Sequence, residues 1–178
     1  LSLGGAFGGG HARGLLDTSP LRELLLKSYF PERTKKNLEA GNFHALAISS
    51  TNVYTNNSVS FVQGQENATL WSRHKRISEK TNIRVDHIMA SSAIPIFFPT
   101  IDIDGRHFTD GCIGNIAPLS PAVHLGADRI LAVGVRSFGM ESETNLGPRT
   151  QPTMAHMSGL LLNAVFMDAI EMDIQRML

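Results

Sequence analysis

The residues best placed to do chemistry lie in ASSAIPIFFPTIDIDGRHFTDG, Ala90 to Gly111, which ends on an aspartate followed by glycine. Asp104-Gly105 stands between two short β-favouring runs, Thr100 to Ile103 and Arg106 to Thr109, and predicts a two-residue hairpin turn. The second strand then stops at Asp110-Gly111. An Asx-Gly pair ordinarily marks a turn, so the bland reading of Asp110 is a turn carboxylate. Its setting raises a second reading. Pro95 and Pro99 bracket an apolar Ile96-Phe97-Phe98 expected to be buried, and the small residues Ala90 to Ala93 permit close backbone approach. A carboxylate at a strand end, with glycine beside it leaving room for a substrate, can serve as a general base.

The other reactive side chains are scattered. Ser91 and Ser92 fall at a helix end and are read as packing residues. Cys112 is the single cysteine, which excludes an internal disulfide, and His107 is the nearest basic side chain to it in sequence. The seven histidines (His11, His44, His74, His87, His107, His124 and His156) form neither H-x-x-x-H nor H-E-x-x-H, so no zinc site is expected. Asp102 and Asp104 are too sparse for a calcium loop and are assigned to the hairpin. No metal and no cofactor is expected. No pair of glycines four positions apart brackets a serine, so the chain carries no G-x-S-x-G elbow.

A chain of 178 residues can bury one real core. Its formal net charge of +0 offers no footprint for nucleic acid and no polybasic membrane segment. No run of about 18 apolar residues is present, so no spanning helix is expected. The chain opens on Leu1 and lacks a signal pattern, which reads as a piece of a longer protein. Leu1 to Gly14 is a glycine-rich loop. Closely approached backbone N–H groups, as in a run like Gly8-Gly9-Gly10 before Arg13, can stabilise an oxyanion, but flexible loop is the favoured reading.

The elements that must position Asp110 follow from patterning. Ser19-Pro20 starts a helix whose apolar face is Leu21, Leu24 and Leu25, and Pro31 closes it. A polar helix covers Glu32 to Ala40, with Gly41 at its end. Ala45 to Ser50 and Val59 to Val62 read as strands joined through Thr55-Asn56-Asn57. Trp71 to Lys80, with Arg73, Lys75, Arg76 and Lys80, is expected to be a solvated basic loop, with contact to acidic lipid headgroups the alternative. Ile83 to Ala93 reads as a helix, and Ser120-Pro121 to Gly126 as a short one. Arg129 to Val135 (RILAVGV) is nearly all apolar, as in a strand buried on both faces of a parallel sheet. Residues 137–152 read as a mobile linker. Thr153 starts a last helix over 153–178, whose Met154, Met157, Leu161 and Val165 are assigned to core. The alternation of strands and helices argues an α/β body over 15–136.

In family order, ASSAIPIFFP, TDG and APLSPAVHLGADRILAVGV resemble the C-terminal part of the patatin-like phospholipase domain. DTSPLRELL resembles the segment after the nucleophile in bacterial members. This resemblance runs from about Gly14 to the C-terminus. It implies an α/β patatin-like sheet with flanking helices, incomplete for want of the first strands and helix. It implies a serine–aspartate pair with no histidine between them, in which Asp110 matches the aspartate and Gly111 its neighbour, while the serine has no counterpart here. The activity implied is hydrolysis of fatty-acyl esters of lipids through an acyl-enzyme. Implied partners are a lipid substrate, peripheral membrane contact, and self-association through an exposed sheet edge. Cytoplasm or the membrane periphery is the favoured location. The alternative is a non-catalytic α/β domain for binding or assembly, and a G-x-S-x-G upstream of Leu1 would decide for the enzyme.

Overall fold

The computed structural model describes residues 14–114, 119–133 and 157. Two helices lead in: α1 (Ser19–Ser28) and α2 (Pro31–Glu39). Proline sits in the first turn of each, where its missing N–H leaves no helical hydrogen bond unmade. Pro31 therefore opens α2, while Tyr29 caps α1 by donating its N–H to the Leu25 carbonyl. The expected apolar face of α1 is only partly used. Leu25 packs on the core and α1 contacts α3, whereas Leu21 and Leu24 are exposed.

Six strands follow: β1 (Ala45–Asn52), β2 (Ser58–Gly64), β3 (Ser72–Arg73), β4 (Arg76–Lys80), β5 (Ile101–Ile103) and β6 (Arg106–Asp110). They form one mixed sheet in the order β3-β4-β2-β1-β6-β5, flanked by helices, which bears out the α/β, patatin-like expectation. Only β2 and β4 run parallel; the other neighbours are antiparallel. Trp71 to Lys80 is thus a small hairpin rather than a loop. Its charged sequence hides the strand because Arg76, Ile77 and Ser78 pair with β2 through backbone groups that carry no apolar signature.

A helix α3 (Val85–Ser91) lies across β1, β5 and β6 and closes the core. Phe61 and Phe108 meet edge to face at 5.2 Å among Val59, Ile83, Met89, Ile101 and Ile103. Buried His87 sets its ring on Phe61 at 4.5 Å and accepts the Arg84 N–H through Nδ1 at 2.9 Å. Burial, with Arg84 beside it, holds its pKa below the ordinary histidine value. It is a satisfied core histidine.

The hairpin joining β5 to β6 turns at Asp104 and Gly105, with φ of 52° and 78°. Asp102 accepts the Gly105 N–H at 2.8 Å, and Asp104 accepts from Arg84 at 2.9 Å. Both aspartates serve the hairpin, as expected. Ile96 departs from expectation: it is 69% exposed, with φ of 72°. A β-branched side chain is strained there, and the carbonyls of Ile96 and Phe97 hold the N–H groups of Leu15 and Leu16.

After α4 (Ser120–His124), Gly126 takes a φ of 86° and ends the helix, as its sequence predicts. The buried strand expected at 129–135 is not found over its described part, 129–133. Leu131 and Val133 are almost fully exposed, and among the described residues no strand of the sheet pairs with the segment. Of the C-terminal helix only Met157 is described. It is helical and exposed rather than core. The glycine-rich stretch before Gly14, the linker at 137–152 and the rest of 153–178 lie outside the described residues.

Candidate active site

The Asp110 end of β6 is built by three backbone relationships. First, the register of β1 against β6 pairs Ser50 with Asp110 and Thr51 with Thr109. Second, Ala93 at the end of the ASSA segment accepts two hydrogen bonds through its carbonyl: from the Asp110 N–H at 2.9 Å and from Thr109 Oγ1 at 2.6 Å. The ASSAIP and TDG motifs, apart in sequence, therefore meet at Ala93. Third, Thr51 Oγ1 donates to the Asp110 carbonyl at 2.9 Å and accepts the Gly114 N–H at 3.0 Å. Thr51 thus clamps both ends of the loop after β6.

Beyond Asp110 the chain turns into a 3-10 segment, Gly111–Ile113, capped by the aspartate itself. Asp110 Oδ1 accepts the Cys112 N–H at 2.8 Å. Asp110 is buried, and one carboxylate oxygen is fixed by main chain instead of by a cation. The glycine at 111 is dictated by contact: a Cβ there would collide with the Ser49 carbonyl oxygen. So the backbone of β1 lies directly under the turn that carries the carboxylate.

The remaining candidates sort themselves by their partners. The Ser92 hydroxyl is taken up by the carbonyls of Ile88 at 3.1 Å and Met89 at 3.2 Å, as a helix-end serine. Ser91 closes α3. His107 engages Thr100 Oγ1 at 3.5 Å and the ring of Tyr54, and alternation along β6 sends it to the face opposite Asp110. The titratable neighbour of Cys112 is instead Asp110. Although Cys112 is exposed, partial desolvation of its thiol, and then the nearby carboxylate, push it up to about 11, so it is a protonated thiol at neutral pH and a poor nucleophile.

Two residues escape sequence reading. Thr51 matters only through the β1–β6 register, which no local pattern announces. Ser50 is fully buried opposite Asp110, and its hydroxyl has no hydrogen-bond partner among the described residues. Within the described residues no cluster of His, Cys, Asp and Glu could hold a metal, and no helix is long and apolar enough to cross a membrane.

The chain belongs to the patatin-like phospholipase family, whose model matches residues 3–123. The match begins upstream of Gly14 and so takes in the glycine-rich stretch that the sequence resemblance had left out. Membership makes this a domain of a lipid acyl hydrolase family, with lipid as the family's substrate class. No curated protein and no solved structure matches the chain.

Proposed function

We propose that Asp110 is the general base of a serine–aspartate pair that hydrolyses fatty-acyl esters, and that its serine is not among these 178 residues. The observation that supports this reading is the fixing of Asp110 Oδ1 by the Cys112 N–H at a glycine turn pressed onto Ser49. The backbone contacts of Asp110 to Ala93 and Thr51 fix the turn that carries the carboxylate, as a general base requires.

In the proposed reaction the carboxylate takes the serine proton as the hydroxyl oxygen attacks the ester carbonyl. The tetrahedral oxyanion collapses, the C–O bond to the alcohol breaks, and the proton passes to that leaving oxygen. Water then attacks the acyl-enzyme carbonyl while Asp110 takes its proton; the bond to the serine oxygen breaks, Asp110 returns the proton to that oxygen, and the fatty acid departs. Fixing one oxygen from the main chain holds the base in place through both steps.

The test is hydrolysis of a short-chain p-nitrophenyl ester by this chain and by Asp110→Asn, beside a chain that also carries a G-x-S-x-G serine. The 178 residues alone are expected to be inactive in both forms. In the serine-bearing chain, Asp110→Asn is expected to lower kcat by about 10²–10⁴-fold, the range of a lost general base. Turnover that survives the substitution undiminished sinks the assignment. Turnover by the 178 residues alone that Asp110→Asn abolishes would move the nucleophile inside them.

A further inference from the structure

The β3–β4 hairpin carries four consecutive basic side chains, Arg73, His74, Lys75 and Arg76, with Lys75 at a φ of 57° in the turn. Among the described residues the ion pairs are Arg22–Asp86, Arg84–Asp104 and Arg106–Glu79. None involves Arg73, Lys75 or Arg76, and the hairpin's own carboxylate, Glu79 of β4, is taken up by Arg106. Among the described residues the positive charge of this turn is therefore not compensated by an ion pair.

The hairpin is also held in place. Trp71 stacks on the His124 ring of α4, with centroids 4.9 Å apart and planes 23° from parallel. The residues flanking that stack, Leu70 and Val123, are 43% and 48% exposed. Arg73 and Arg76 lie close enough to His124 to add to the effect of burial in depressing its pKa. The turn reaches toward the Asp110 loop as well. Lys75 accepts the Ser58 N–H through its carbonyl at 2.8 Å, and a Cβ at Gly114 would meet Thr51 and that same Ser58 nitrogen.

We propose that the β3–β4 hairpin, with the adjoining edge of α4, is a docking surface for anionic lipid bilayers. Its occupant follows from charge complementarity. Unpaired Arg and Lys attract anionic headgroups, while an indole and exposed aliphatic side chains suit the interfacial layer. Docking through this hairpin sets the Gly111–Gly114 loop beside the membrane from which a lipid ester would be drawn. The choice of lipid as partner rests on the hydrolase reading; the binding itself does not need turnover.

The experiment is flotation of the full chain with vesicles of phosphatidylcholine alone, or of phosphatidylcholine mixed with phosphatidylserine. Binding is expected to the mixed vesicles only, and to weaken as salt is raised. The double variant Arg73→Gln/Lys75→Gln is expected to bind about 25-fold more weakly, at about fivefold for each basic residue near such a surface. Both side chains are exposed, so an unchanged unfolding midpoint separates lost binding from lost fold. Asp110→Asn is expected to float like the parent, so a failure of the catalytic reading leaves this result standing. Equal binding to both vesicle types, salt-insensitive binding, an unaffected double variant, or absence of vesicle binding overturns the proposal. So does a preference for single-stranded DNA over the mixed vesicles.

Discussion

Ser50 and Asp110 oppose each other across the antiparallel pair β1–β6, and the Ser50 hydroxyl, with no exposed surface, has no hydrogen-bond partner among the described residues. The strand that positions the candidate base therefore carries an orphaned polar group on the same face. Burying a hydroxyl without a partner costs about 1–3 kcal/mol. Ser50→Ala is accordingly expected to leave stability unchanged or raise it by about 1 kcal/mol, read as a higher urea midpoint at constant m-value. A loss of more than about 1 kcal/mol would show that the hydroxyl has a partner.

Gly111 has the opposite sensitivity. A Cβ meets the Ser49 carbonyl, which is main chain and cannot swing aside. Gly111→Ala is expected to destabilise by about 1–3 kcal/mol, as overpacking does, and to disturb the Asp110 turn first. Denaturant unfolding measures the former. An unchanged midpoint would mean that β1 yields to the added methyl.

The thiol of Cys112 gives the pH dependence. Its pKa rises from 9.0 to about 11 in the folded chain, through partial desolvation and then the Asp110 carboxylate. The folded state therefore holds this proton more tightly than the unfolded state. Its contribution to stability is present below pH 9.0 and is lost as pH rises through about 11. Iodoacetamide is expected to alkylate the native thiol slowly at pH 8, and faster after Asp110→Asn, which removes the carboxylate's charge. Equal rates in the two proteins would show that the carboxylate does not govern the thiol.

Much of the framework around Asp110 was legible in the sequence because it rests on local backbone demands. Asp104-Gly105 takes two successive positive φ values, a conformation open to few residue pairs, so it marked its turn without any tertiary information. Ser120-Pro121 and Gly126 bounded α4 for the same reason. The misreadings arose where partners decide. Arg76 to Lys80 is a strand because β2 lies alongside it, and its charges pointed to a loop. Arg129 to Val133 has the composition of a buried strand, but among the described residues nothing pairs with it. The Asp110 site was half legible. The TDG motif is local, whereas the support from Thr51 and the opposition of Ser50 exist only through a register between distant strands.

That register has a kinetic consequence. The β1–β2 hairpin is contiguous and can close early, yet the neighbour on the other flank of β1 arrives from far along the chain. Thr51 and Asp110 are 59 positions apart. Loop-closure entropy must be overcome before such a contact returns any free energy, which makes long-range strand insertion a slow event. Until β6 slots in beside β1, the Asp110 turn lacks the Thr51 clamp. The Asp110 geometry is thus expected to form after the β1–β2 hairpin closes, and to report on completion of the sheet rather than on the first appearance of secondary structure.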